Sequence, residues 1–388
     1  MSEHTIQSQQ TGSNDKVNTM TSAAEVSECG QTNDEKRSRA AIDRVRGLMD
    51  PRLLAAADRL AAVNGRYVPI TRDKPLLGHL KALVASVTAP PTGKPDKRRI
   101  LAVVGKSGAG KTTALAEHIG RIPEMQAYRD EDGIWIHPTI FIEAPSPCTP
   151  RLLAIAGLEA LGHAPPDRIR ENEAWLLFRR LLKVHKVMFV VIDECQNAIE
   201  TASVRQATVI GDAFKHLTQM SDWPVRLILA GVPPLASFLA RKQLYNRRTV
   251  IPFDSLDTGG NQGLLSEVLR IVIMDHAGLE MGEGLEDDDF RSRLLHAVDA
   301  EFGSGLQMIR AAVERAVLAD RSSVTKDDFK EVYASFSGCK PSMNVFDAPE
   351  WAELNPATAL LRAEDRAWEE ERKRTKGKTA TIHSVRPQ

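Results

Sequence analysis

Cysteine is scarce and scattered: Cys29, Cys148, Cys195 and Cys339 are the four in 388 residues, and none stands in C-x-x-C spacing. Neither a disulfide framework nor a zinc site is indicated, and a reducing compartment fits. A basic excess is missing too, since Lys+Arg and Asp+Glu each total 51 and the formal net charge is zero. Tight, stoichiometric nucleic-acid binders usually carry surplus positive charge. Any nucleic-acid contact here is local, or weak per subunit and summed over an assembly. No apolar run approaches the ~20 residues of a membrane span. The N-terminus is polar and carries acids, so no signal peptide is expected. Repeats at solenoid periods are lacking. These absences leave the expectation of a soluble, cytoplasmic chain with no membrane partner, long enough for two or three structural units.

What the chain has is a complete G-x-x-x-x-G-K-[ST] segment, Gly105-Lys106-Ser107-Gly108-Ala109-Gly110-Lys111-Thr112. It follows an apolar strand-like run, Ile100 to Val104, and opens a helical run at Thr113. That strand-to-helix context is what a phosphate loop requires. Glycines let successive backbone N–H groups wrap phosphate oxygens, and the helix N-terminus adds partial positive charge. Residues 105–113 are therefore expected to cradle ATP. Lys111 would reach the β- and γ-phosphates, and the Thr112 hydroxyl would ligate Mg²⁺.

A second run, Val187-Met188-Phe189-Val190-Val191-Ile192, reads as a strand buried on both faces and ends in Asp193-Glu194. Acids at the carboxyl end of such a strand stand where doubly wound sheets bind ligands. Asp193 is the candidate to hold Mg²⁺ through water, and Glu194 the candidate general base for the attacking water. Together with the phosphate loop they point to an ATPase that yields ADP and phosphate.

Along the chain, residues 1–37 are polar and read as a disordered arm. Residues 38–95 carry helices divided at Pro51, then the extended Tyr67-Val68-Pro69-Ile70, a further helix at 74–88 and a Pro-rich linker. From 96 to 256 strands near 99–104, 136–142, 187–192, 225–231 and 249–253 alternate with helices near 111–120, 150–161, 171–186, 207–221 and 233–246. This is an α/β pattern with a parallel five-stranded sheet flanked by helices. Residues 257–338 read purely helical, as a small lid, with helices near 262–278, 287–299, 304–319 and 326–337. The tail, 339–388, holds a charged helix around 357–374 and a basic run through Lys378. Such runs are solvated, or contact DNA or an acidic protein surface. Trp175, Phe178 and Leu182 follow helical spacing and are expected in the core.

A phosphate loop, an Asp-Glu strand, a five-strand core and a helical lid together resemble the AAA+ P-loop ATPases. Val68-Pro69-Ile70, Val103 to Thr112, and Val191-Ile192-Asp193-Glu194-Cys195-Gln196 resemble the TniB/TnsC ATPases of DNA transposition, over roughly residues 65–337. The resemblance implies an ATP-dependent homo-oligomer, ring or filament, on double-stranded DNA. It also implies two protein partners, a transposase and a TniQ-like target selector. Replication initiators or helicase loaders share this core, as do signalling ATPases that oligomerise without DNA.

Carried over residue by residue, the resemblance makes Arg247 the arginine finger for a neighbouring subunit's γ-phosphate, with Arg248 the alternative. Arg310 becomes the lid's nucleotide-sensing arginine, with Arg315 competing. The fourth strand of such ATPases ends in a polar sensor, but here it runs Leu229-Ala230-Gly231-Val232. The glycine leaves room there for nucleotide or for an activating residue. Family loops that face DNA correspond to 145–151 and 167–170. Thr149, Arg151, Arg168 and Arg170 are the candidate phosphate donors, although Pro147 stands where a relative would present lysine.

Overall fold

The computed structural model describes residues 33–88, 99–200, 204–241, 244–256 and 262–356. The expected arm up to residue 32, most of the Pro-rich linker, Gly259-Gly260, and the charged helix with its basic run lie outside these residues. The chain divides into two units between Asp58 and Arg59. The first holds α1 (Asn33–Leu48) and the start of α2 (Pro51–Gly65). The break between them follows from Pro51, which opens α2 at a position where proline suits a helix. The Asp50 carboxylate caps that start by accepting from the N–H groups of Arg52 (2.9 Å) and Leu53 (3.3 Å). Arg46 and Asp58 pair at 2.9 Å within this unit.

The second unit is built on β1 (Ile100–Gly105), β4 (Thr139–Glu143), β5 (Phe189–Asp193), β6 (Arg226–Gly231) and β7 (Arg248–Phe253), all parallel, in the order β4-β5-β6-β1-β7. This is the expected sheet. Side chains alternate across it because a strand points successive residues to opposite faces. Ile100, Ala102 and Val104 join Val190, Ile192, Leu227 and Leu229 in one core, beneath α5 (Pro150–Ala160), α6 (Glu171–Val184), α8 (Val204–Thr218) and α9 (Pro234–Leu239). Leu101 and Val103 join Phe189, Val191, Ile228 and Ala230 in the other, covered by α3 (Asp73–Ala85) and α4 (Lys111–Gly120). Phe178 and Leu182 are buried in the first core as expected, and Trp175 packs against it.

The differences have local causes. The expected second strand is split. Asp130 Oδ1 accepts from Asp132 N (3.1 Å) and Ile134 N (2.9 Å), closing an antiparallel hairpin of β2 (Tyr128–Arg129) and β3 (Trp135–Ile136). Pro138, with no N–H to donate, separates it from β4. The helix expected over 233–246 ends as α9 at Leu239, and Tyr245–Arg247 form a 3₁₀ turn. The chain must reverse there so that Arg248 can pair with Ile100. A four-residue helix, α7 (Asn197–Glu200), follows β5.

The lid comprises α10 (Gln262–Arg270), which continues through a π-helical turn (Ile271–His276), then α11 (Asp288–Ala297), α12 (Phe302–Leu318) and α13 (Lys326–Ser337). It is not purely helical. β8 (Glu280–Met281) and β9 (Ser323–Val324) form a two-residue parallel pair, too short to show a period in sequence. Residue 338 is not a packing boundary either: Arg293 Nη1 donates to the carbonyls of Val345 (2.8 Å) and Ala348 (2.9 Å). Among the described residues no helix is long and apolar enough to cross a membrane.

Candidate functional site

β1 runs directly into the glycine-rich loop. At Gly105 a Cβ would stand 2.5 Å from the Phe253 carbonyl oxygen, so β1 and β7 can meet there only if that residue is glycine. Gly108 (φ 74°) and Gly110 (φ 80°) take left-handed conformations that turn the loop into α4. Ser107 is exposed at the loop's tip, and Ala109 N–H closes a turn onto Lys106 O at 3.2 Å. Lys111 is 8% exposed, and its Nζ donates to the carbonyls of Gly105 (2.9 Å) and Lys106 (2.8 Å). Burial lowers the Lys111 pKa, and the nearby carboxylates of Glu194 and Asp193 partly restore it. The ammonium is thus held inside the loop by two backbone carbonyls.

The carboxyl end of β5 lies opposite. Thr112 Oγ1 donates to Asp193 Oδ2 at 2.5 Å, while Asp193 Oδ1 accepts from Glu194 N–H at 2.8 Å. Glu194 has φ 51°, an unusual backbone for a non-glycine residue and one found at functional sites. Among the described residues no cluster of three or more His, Cys, Asp or Glu side chains is arranged to hold a metal by itself. A hydroxyl and a carboxylate in contact fit Mg²⁺, which takes one or two protein oxygens and completes its shell from phosphates and water.

A cleft of about 620 Å³ opens beside Gly110 and Thr113, walled by Tyr67 and Val68 on one side and by Phe302 and Arg310 of α12 on the other. Its walls meet at Arg72. The Arg72 guanidinium lies 4.1 Å from the Phe253 ring and 4.8 Å from the Phe302 ring, and Nη2 donates to Ala109 O at 2.5 Å. Burial pushes the Arg72 pKa down to about 10. Asp73 fixes the preceding linker by accepting from Tyr67 Oη (3.0 Å) and Ile70 N–H (2.8 Å). The lid touches the loop directly, with Gly303 N–H donating to Gly108 O at 2.7 Å.

Residues 94–239 match the family model of an AAA domain. The fold is that of the AAA+ P-loop ATPases. The ORC1 protein of Aeropyrum pernix, solved in complex with DNA, is similar at 17% identity and TM-score 0.50, over 72% of this chain and 69% of that one. Cdc6p from Pyrobaculum aerophilum is similar at 15% identity and TM-score 0.48, over 70% of this chain and 69% of that one. The ORC2 protein of A. pernix, in its ADPNP–ADP complexes, is similar at 15% identity and TM-score 0.47, covering 70% and 71%. At such identities the likeness is one of fold. No curated protein matches the chain by sequence.

Within this AAA+ core, Lys111, Thr112, Asp193 and Glu194 converge. None of the four lines the cleft beside Gly110 and Thr113, whereas Arg310 does, its Nη2 donating to Arg66 O at 2.8 Å. Arg315, its competitor, is turned toward Asp328 at 3.8 Å. Arg247 and Arg248 are remote from this group, at the opposite end of β1: Arg248 pairs with Ile100, and Arg99 N–H donates to Arg247 O at 2.9 Å. Arg248 is engaged within the chain, donating from Nη1 to Ala236 O at 2.9 Å and stacking on Tyr245. The two candidate DNA loops are drawn together by Arg151, whose Nε and Nη2 donate to Ile169 O and Asp167 O, both at 2.7 Å. Thr149 caps α5 by accepting from Leu152 N–H at 3.2 Å. Arg168 and Arg170 are exposed on the second loop.

Sequence reasoning missed Arg72 and Asp73. Both directly follow the Val68-Pro69-Ile70 stretch, but a single arginine or aspartate in a linker carries no pattern. Gln196 stands in the sequence only as part of the 191–196 stretch, with no spacing that marks its contacts.

Proposed function

We propose that the chain is a cytoplasmic ATP-hydrolysing switch that assembles on double-stranded DNA and regulates transposition, linking a TniQ-like target selector to a transposase. The observation that carries the ATPase reading is the convergence of Lys111, Thr112, Asp193 and Glu194 at the carboxyl ends of β1 and β5. Lys111 and the loop N–H groups neutralise charge on the β- and γ-phosphates. Thr112 and Asp193 supply hard oxygens for Mg²⁺, which would offset charge on the same phosphates. Glu194 accepts a proton from the attacking water as its oxygen bonds to the γ-phosphorus. The bond to the bridging oxygen breaks and its electron pair leaves on ADP. Loss of the γ-phosphate removes the charge contacts that favour the ATP state, so hydrolysis resets the switch.

Duplex DNA as the platform is supported by the stretches that resemble TniB/TnsC and by the exposed Arg168 and Arg170 beside the Arg151 staple. A replication initiator is the second reading, because the fold is shared with the A. pernix ORC1 protein that was solved with DNA.

The test images purified protein with a non-hydrolysable ATP analogue, with and without linear duplex DNA, and measures ATP binding and turnover. Rings or filaments that need both ligands are the expected result. Oligomers indifferent to DNA would replace this reading with a signalling switch. Lys111→Ala is expected to lose nucleotide binding and assembly together. Glu194→Gln should assemble normally while turnover drops by about 10²–10⁴-fold, the usual contribution of a general base.

A further inference from the structure

We propose that Gln196 is the positioning residue for Glu194, and that Gly231 is glycine because the Gln196 amide occupies the space beside it. The inference rests on the ATPase reading above. Around Glu194 the backbone is pinned on three sides. Its N–H donates to Asp193 Oδ1 (2.8 Å), its carbonyl accepts from Asn197 N–H (2.9 Å), and Cys195 N–H donates to Ala230 O (2.9 Å). The carboxylate is not pinned by any of these. Among the described residues its hydrogen-bond partner is Gln196, whose Nε2 donates to Glu194 Oε2.

The other end of the Gln196 amide settles which way it faces. Gln196 Oε1 accepts from Val232 N–H at 3.3 Å. A backbone N–H only donates, so the amide oxygen must point to Val232 and the NH₂ to Glu194. One side chain therefore ties the carboxylate just past β5 to the backbone just past β6. A Cβ at Gly231 would lie 3.1 Å from Gln196 Oε1 and 3.2 Å from Leu235 Cδ2, so a side chain there would crowd the amide and press it out of its present position by a few tenths of an ångström. The end of β6, which lacks a polar side chain of its own, thus receives one from the turn that follows β5. Held through one oxygen, the Glu194 carboxylate keeps its second oxygen for the proton of the attacking water.

The test compares steady-state ATP turnover and binding of a non-hydrolysable analogue for the full chain, with Mg²⁺ and duplex DNA. Gln196→Glu is nearly isosteric and keeps an oxygen for Val232 N–H, but it sets a carboxylate against Glu194. Gln196→Asn is one methylene too short to bridge both partners. Both are expected to lower kcat by about tenfold or more, with KM and analogue affinity within about twofold of wild type. Gly231→Ser is expected to lower kcat in the wild-type background, yet to cost far less when combined with Gln196→Ala, because the amide it collides with is gone. Unchanged kcat in Gln196→Glu and Gln196→Asn, with Glu194→Gln inactive, would overturn this inference and leave the ATPase reading standing. Loss of analogue binding in both Gln196 variants would also overturn it, since the residue would then be structural. A wild type that binds ATP but turns none over, with or without DNA, would sink the ATPase reading and this inference together.

Discussion

Arg247 offers a test of whether the catalytic site is completed by a second copy of the chain. In the β1–β7 register Arg248 stands beside Ile100, and Arg247 is bonded to Arg99, while the phosphate loop begins at Gly105. Six residues of strand at ~3.3 Å each put roughly 20 Å between Arg247 and its own phosphate loop, far beyond the reach of one side chain. Its guanidinium makes no hydrogen bond or ion pair among the described residues, and Nε is shielded without a partner. If Arg247 acts on ATP it must act on a neighbour's. An arginine finger contributes about 10³–10⁵ in kcat, or ~4–7 kcal/mol of transition-state stabilisation at ~1.36 kcal/mol per decade. Arg247→Ala should therefore reduce phosphate release by the DNA-bound assembly on that scale, while analogue binding stays unchanged. Mixing Arg247→Ala subunits with Glu194→Gln subunits, which are expected to assemble, in equal amounts sharpens the result. With random neighbours, about one interface in four joins an intact Glu194 to an intact finger. The mixture should recover about a quarter of wild-type turnover, whereas each variant alone recovers almost none. Arg247→Ala turning over at the wild-type rate, or a mixture as inactive as its components, would refute the reasoning. Arg248→Ala is the control, since its bond to Ala236 O makes it a stability residue expected to cost about 1 kcal/mol.

Asp328 is 3% exposed. Burial raises its pKa, but the Arg321 guanidinium and Thr325 N–H outweigh burial and hold it below the ordinary 3.8. A folded value below the unfolded one means the stabilisation is present above pH 3.8 and is lost as pH falls through the lower folded value. Asp328→Asn should cost ~1–3 kcal/mol in urea melts at pH 7. That difference should shrink in acid, and a pH-independent one would contradict the argument. Arg168→Ala and Arg170→Ala should each weaken duplex binding uniformly across sequences and reduce the salt slope by about one. An unchanged slope would remove these residues from the interface. Arg151→Ala should act instead on stability, through its bonds to Ile169 O and Asp167 O.

Which features could be read from the chain depended on how locally each was determined. The phosphate loop was readable because Gly108 and Gly110 meet backbone demands set within the loop itself, at φ 74° and 80°. The buried strands announced themselves as apolar runs, and Asp193-Glu194 at the end of one of them followed. The lid's helices showed their period, but β8 and β9, at two residues each, have none to show. Contacts made across the sequence were not readable in this way. Arg72 meets Ala109 at a separation of 37 residues and Gln196 meets Val232 at 36, and no spacing rule links either pair. Arg151 illustrates the converse. A basic residue in a candidate DNA loop looked like a phosphate donor, yet two of its N–H groups hold neighbouring carbonyls.

Gly231 lies between these cases, because its sequence posed a question without containing the answer. A site that needs a polar group near Glu194, on a strand end that offers only glycine, implies that the group comes from elsewhere. Whatever supplies it must be short of bulk on the Gly231 side and within hydrogen-bond reach of both Glu194 and the β6 backbone. Residues just past Glu194 are the nearest that satisfy both conditions. Cys195 is excluded because its Sγ is directed back to Ile192 O at 3.2 Å, and Asn197 because its Nδ2 donates to Ala144 O at 3.0 Å. Gln196 is left, with a side chain long enough to reach Val232 and an amide that can accept at one end while it donates at the other. A missing side chain at a site with a fixed chemical requirement therefore constrains its replacement nearly as tightly as a motif does, once neighbouring side chains have been assigned their own partners.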